Sequence, residues 1–244
     1  MKRVILGILV LFLTVGIYGN GVAIRNAEIN DCLRLFKTET DVVIDNQVSI
    51  VTTRQYFHNL DNYDAAVKYA YPMRESASAT ALSYYANGIW HQATIEPVPA
   101  DTTMPGPGGN VHNNLQNYLG TIPLYFNPSG GINVDTNSTL IVELTYVELL
   151  PYEFGDIFFT CKNDHSLIQT SALGSLRLHF ILTSDRLIDD FTMISNHPYT
   201  YYDQQAYMVE LIFDQQNMVA NEDYEASYTL NSDQLGMFSM STFL

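Results

Sequence analysis

From residue 40 onward, hydrophobic and polar positions mostly alternate with a period of two, the pattern of half-buried strands. Within 41–59, Val48, Ile50, Thr52, Arg54 and Tyr56 alternate with Ser49, Val51, Thr53, Gln55 and Phe57, and both sets carry apolar groups. Asp45-Asn46 interrupts the run and predicts two strands there. A shorter extended run over 66–72 ends at Pro72, which cannot donate to a ladder and belongs at an edge or corner. Over 79–97, two extended runs flank Asn87-Gly88. Both residues tolerate positive φ, so this dipeptide predicts a tight hairpin. The stretch 97–137 is rich in Pro, Gly and Asn and reads as a long excursion with one helical turn near 111–119. Strand patterns resume at 138–150 and return at 155–161, 175–183, 206–213 and 224–230. A 3.6-residue period is not sustained beyond the N-terminal segment. The expected class is all-β: an antiparallel β-sandwich over 24–168, followed by a second set of strands over 169–244.

Lys2 and Arg3 precede an apolar run over 4–15, with small residues at Gly16, Gly19, Gly21 and Ala23. This predicts a secretory signal peptide over 1–23, because the run is shorter than the ~20 residues that span a bilayer. A secreted, periplasmic or cell-envelope location follows, with no membrane span after cleavage. The chain has 244 residues, 47% of them hydrophobic and 15% charged, which is enough for a substantial core. Its formal charge of −15 repels phosphate backbones, so nucleic acid is not an expected partner. In an oxidising compartment, Cys32 and Cys161 form either one disulfide or two buried thiols.

The runs VTTRQYFHNLDNYDAAVKYAYPM, ATALSYYANGIWHQATIEP and LIVELTYVELLPYEFGDIFF occur in this order. Together they resemble the VIT domain shared by vault proteins and the N-terminal part of inter-alpha-trypsin inhibitor heavy chains. The resemblance covers roughly 40–165 and rests on Phe57 and Asn59, Tyr71-Pro72, Asn87-Gly88, and Leu144, Tyr146 and Glu148 before the turn at 151–155. It implies a noncatalytic interaction or adhesion module outside the cell, followed by a von Willebrand A domain. The nearly uncharged segment 98–131 departs from the family, where a charged helical segment is usual. The DxSxS sequence of the A-domain metal site does not occur. The apolar tail with Met237, Phe238, Met240, Phe243 and Leu244 is expected to continue into a further domain or to dock on a groove.

Candidate chemistry is sparse, and neither cofactor nor metal is expected. There is no GxSxG elbow. The histidines, at 58, 91, 112, 165, 179 and 197, never take HxH or HExxH spacing. His179, in mid-strand, is expected to be packed. Asp61 and Asp64 lack an EF-hand frame and read as a solvated turn. Glu143 and Glu148 could serve glycoside hydrolysis only at a defined separation. Binding signals are better. Trp90, with Tyr84 and Tyr85 around the hairpin, and Tyr199, Tyr201 and Tyr202 form a candidate interaction surface for an extracellular or cell-surface protein, or for a glycan. Alternation alone favours a core place for Trp90 and one wet side for the tyrosine run. Asn137-Ser138-Thr139 is an N-glycosylation pattern. The functional expectation is a secreted noncatalytic module, not an enzyme; the alternative is a secreted hydrolase of glycans or esters with a dispersed site.

Overall fold

The computed structural model describes residues 19–25, 31–94 and 113–231. Most of the expected leader, the segment 95–112 and the apolar tail lie outside them. The chain forms β1 (Val22–Ile24), β2 (Arg34–Asp45), β3 (Val48–His58), β4 (Ala65–Met73), β5 (Ala77–Ala86) and β6 (Ile89–Gln92). A short helix α1 (Asn113–Leu119) leads to β7 (Ile122–Phe126), β8 (Ile132–Val134), β9 (Thr139–Leu149), β10 (Tyr152–Glu153) and β11 (Asp156–Cys161). The last elements are β12 (Leu173–Thr183), β13 (Ile188–Met193), β14 (Thr200–Gln205), β15 (Met208–Met218) and β16 (Tyr224–Leu230).

An eight-stranded sheet in the order β14-β15-β12-β2-β3-β9-β5-β6 forms one layer. Two smaller sheets face it: β10-β11-β16-β13, and β1-β4-β7 with β8 also paired to β4. All pairings are antiparallel except β12 with β2. The layers enclose one core, in which Val42, Val51, Phe57, Leu144, Phe180 and Phe213 of the large sheet meet Tyr69, Tyr71, Phe159 and Tyr228 of the small ones. Helix α1 covers the far side of β1 and β4 through Leu115, Tyr118 and Leu119. The architecture is the expected all-β sandwich.

The expected division at residue 168 does not separate two sheets. β12 lies parallel beside β2, from Ser175 opposite Lys37 to Thr183 opposite Asp45, and thereby continues the first strand set. Two further placements depart from or go beyond the sequence pattern. On β3, the face carrying Ser49, Thr53 and Gln55 is the buried one, while Ile50 and Val48 face outward. Gln55 is satisfied inside: its amide donates to the Asn20 side chain and its oxygen accepts from Tyr69 at 2.6 Å. The second concerns the leader boundary. Asn20 and all of β1 are buried, and β1 pairs with β4 from Val22 opposite Ala70. A chain starting at residue 24 would lose that strand. The fit at the glycines is close: a Cβ on Gly21 would lie 2.3 Å from the Gln55 oxygen, and one on Gly19 would lie 1.9 Å from the Tyr118 ring.

Candidate binding surface on the eight-stranded sheet

The register of the large sheet lines up its outward side chains in rows across the strands. In the first, Trp90 lies opposite Tyr85, Tyr85 opposite Ile141, Ile141 opposite Tyr56, and Tyr56 opposite Lys37. The second runs from Gln92 through Ser83, Glu143, Arg54 and Glu39 to Arg177. A third holds Ala81, Thr145, Thr52, Asp41 and His179. Beyond it lies an aliphatic zone with Val43, Val48, Ile50 and Leu149 exposed.

Side-chain size shapes this face. Ala81 and Ser83 are short, whereas Trp90 on one side and Arg54 with Glu143 on the other are long. The difference leaves an open trough of about 640 Å³, bordered also by Gln92 and Thr145. Trp90 is 51% exposed, and its ring meets Tyr85 at 5.6 Å between centroids. The opposite wall is held by charge. Arg54 Nε donates to Glu143 Oε2 at 2.8 Å, and Arg54 Nη2 donates to the same oxygen. The Glu143 hydrogen bond raises the Arg54 pKa further above its usual range. Behind this pair, Tyr56 donates to Glu39 at 2.7 Å, and Lys37 lies 3.0 Å from Glu39 and 4.7 Å above the Tyr56 ring. Partial burial alone would raise the Glu39 pKa, but hydrogen bonds from Tyr56 and Lys37 and the nearby cations outweigh it and hold the carboxyl below its usual value.

The structure separates the residues singled out as an interaction surface. Trp90 is on the outer face and not in the core, contrary to the placement that alternation favours. Tyr201 and Tyr202 are exposed on β14, the opposite edge of the eight-stranded sheet from β6. Tyr199 is partly buried. Its ring packs on His197 and Phe213, its hydroxyl lies 2.6 Å from Ser195 Oγ, and burial pushes its pKa well up. Trp90 and the tyrosine run therefore belong to two separate places.

Other candidates serve the scaffold. Glu143 and Glu148 lie on opposite faces of β9, as five residues of separation require. Glu148 is 1% exposed, accepts from Ser76 at 2.6 Å and pairs with Arg74. Those two carboxylates cannot work as a pair. His179 is not packed inside. It is 2.8 Å from Glu210 and 3.7 Å from Asp41 on the outer face. Asp61 pairs with Arg25, and Asp64 accepts from the Thr136 amide at 2.9 Å. Asn137 is exposed at a positive φ of 54°. Cys32 and Cys161 are not joined in a disulfide, and burial pushes both thiols up to about 12, so neither is a ready nucleophile.

Tyr85 was expected beside Trp90 at the hairpin; Arg54 and Gln92 were not expected at the site. Part of the signal was available: a two-residue turn at Asn87-Gly88 places Tyr85 opposite Trp90 and Ser83 opposite Gln92. Arg54 and Glu143 come from strands whose register only the fold defines.

No protein-family model matches the chain, and no curated protein matches it in sequence. Among solved structures, a Legionella pneumophila protein provisionally described as nutrient-binding superposes with a TM-score of 0.57 at 10% identity, covering 86% of this chain and 70% of that one. A provisionally described protease of Parabacteroides distasonis gives a TM-score of 0.42 at 8% identity, covering 80% of this chain and 40% of its own. The first likeness is one of fold alone, and the second is too distant to carry an argument.

Proposed function

We propose that this chain is an exported, noncatalytic recognition module that holds an extracellular or cell-surface partner on the outer face of its eight-stranded sheet. The observation that carries this reading is the trough beside Trp90: a half-exposed aromatic platform facing fixed polar groups, on a sheet face that the two smaller sheets leave uncovered. A conformationally stiff aromatic next to preorganised hydrogen-bonding groups suits binding, because little side-chain entropy remains to be lost.

The resemblance to VIT domains supports an extracellular interaction role of this kind. It rests on scaffold residues. Asn59, for example, is buried and donates to the carbonyls of Tyr63 and Val134 at 3.0 and 3.1 Å. The ligand surface must therefore be argued from this chain's own side chains. The expected von Willebrand A domain belongs to the same proposal.

The test is retention of the purified protein on layers of cells and on extracellular-matrix coatings. It compares the unaltered chain with Trp90→Ala and Ile50→Asp, each first checked for unchanged circular dichroism. Saturable retention that either outer-face change weakens supports the reading. Equal retention of all three proteins, or none, counts against it, as does hydrolytic turnover of a coating component abolished by one side-chain change.

A further inference from the structure

We infer that the trough beside Trp90 is a subsite for a neutral glycan, a proposal that rests on the recognition-module reading and names its ligand class. The first support is shape. Ala81 and Ser83 form a floor of small side chains on β5, and the Trp90 indole rises on one side as the only tryptophan of the chain. The resulting volume of about 640 Å³ lies within the range of small-molecule sites, roughly 300–1,000 Å³. A pyranose ring has one relatively apolar face of C–H groups and a rim of hydroxyls. The apolar face suits an exposed indole, and the rim needs donors and acceptors held at the side.

The second support is the polar inventory. Gln92 supplies an amide that both donates and accepts, Ser83 a hydroxyl, and Arg54 and Glu143 a donor and an acceptor side by side. Glu143 uses Oε2 for Arg54, so Oε1 lies outside that pair. Adjacent fixed donors and acceptors of this kind match vicinal hydroxyls, each of which also donates and accepts.

Charge then selects among ligands. Glu143 beside Arg54 offsets its cation, and Glu39 lies 3.9 Å from the guanidinium on the other side. The basic side chains lining the trough are this offset Arg54 and His91, whose ring stacks on Tyr84 at 4.7 Å, so a sulfated or uronic polymer meets no cluster of cations there, and the molecule's net charge of −15 opposes one at long range. With Lys37 3.0 Å from Glu39, two cations face the two carboxylates, so the surplus negative charge that a cationic ligand would need is absent from this cluster. A neutral, hydroxyl-rich ligand remains. A peptide would instead pair with the backbone edge of β6 that no strand among the described residues covers, so it is a distinct outcome of the test.

The test uses the full chain. Because Trp90 is the sole tryptophan, its emission reports the site directly. The protein is titrated with cellohexaose, xylohexaose, mannohexaose and chitohexaose, with a heparin hexasaccharide and with an uncharged hexapeptide. The proposal expects a saturable emission change with at least one neutral sugar. Calorimetry is expected to show most of the affinity retained in Trp90→Phe and about a tenfold loss or more in Trp90→Ala. Ala81→Gln, at an exposed position that fills the floor, is expected to block binding without altering the fold. Any one of three results overturns the proposal: no response to any neutral sugar, tighter binding of the acidic sugar or the peptide, or unchanged affinity in both Trp90→Ala and Ala81→Gln. Its failure is separable from that of the wider reading. Retention on cells that survives periodate oxidation of their glycans but is weakened by Ile50→Asp removes the glycan and leaves the module.

Discussion

His165 gives the fold a pH dependence that originates in a single side chain. It is buried, its Nδ1 lies 3.0 Å from the Tyr118 hydroxyl, and its Nε2 has no hydrogen-bond partner among the described residues. Burial lowers its pKa to about 4, against a smaller upward pull from Asp164. Because the folded pKa lies below the unfolded value of ~6.5, the unfolded chain binds this proton more readily. Its contribution to stability is thus complete above about pH 6.5 and is lost as pH falls toward 4, on the order of 3 kcal/mol in all. Urea midpoints measured from pH 7 to 4 should fall more steeply for the unaltered chain than for His165→Asn. Phe154 carries a different cost. It is fully exposed at a positive φ of 54°, next to Gly155 in the turn between β10 and β11. A bulky residue is strained in that region, whereas Asn tolerates it. Phe154→Asn should therefore raise unfolding free energy by about 1 kcal/mol. Unchanged or lower stability would mean that the exposed ring contributes something that the turn geometry does not reveal.

At the scale of elements, the β5–β6 hairpin carries one wall of the trough. Asn87 and Gly88 have φ of 51° and 87°, as a two-residue type I′ turn requires. Asn87 also accepts from the Asp135 amide at 3.1 Å and donates to the Asn133 carbonyl at 3.2 Å, which ties the turn to the end of β8. A Cβ on Gly88 would meet nothing within 4 Å, so Gly88→Val tests backbone conformation without a packing clash. It should cost more than ~1 kcal/mol, with the denaturant slope unchanged. Strand β1 makes a second prediction. The Gly19–Gly21 backbone is fastened by Tyr118 donating to the Asn20 carbonyl at 2.9 Å and by Asn20 N–H donating to Asp164 at 3.1 Å. Intact-mass analysis of protein exported from a secreting host should therefore find Gly19 retained after any leader is removed. A product starting at residue 24 with undiminished stability would contradict the packing of β1.

For the whole molecule, the parallel pairing of β12 with β2 is decisive. It joins residues 173–183 to the middle of a sheet whose other side is built from residues before 150. Val42 and Ile44 share their core with Phe180, Phe213 and Tyr228, so neither part of the chain can exclude water alone. Residues 24–168 expressed separately should lack the circular dichroism and cooperative unfolding of the full chain. A stable, cooperatively folding fragment would restore the boundary at 168. The same sheet explains why one molecule presents two separate aromatic edges, Trp90 on β6 and Tyr202 on β14.

Alternation, turn chemistry and charge were legible in the sequence because each depends on residues close along the chain. They define most strands, the Asn87-Gly88 hairpin with its Tyr85–Trp90 pair, and the placement of Glu143 and Glu148 on opposite faces. They do not define which face is buried when both carry apolar groups. On β3 the buried set is Ser49, Val51, Thr53, Gln55 and Phe57: Val51 and Phe57 join the core, and Asn20 and Tyr69, 35 and 14 residues away, satisfy the Gln55 that enters with them. The trough has the same origin. Arg54 and Glu143 meet across 89 residues, and Ala81 and Ser83 become its floor only once β5 lies beside β9. Local periodicity determined what each strand could be, and long-range pairing determined what it faces, since burial and cross-strand contact depend on partners that the neighbouring sequence does not specify.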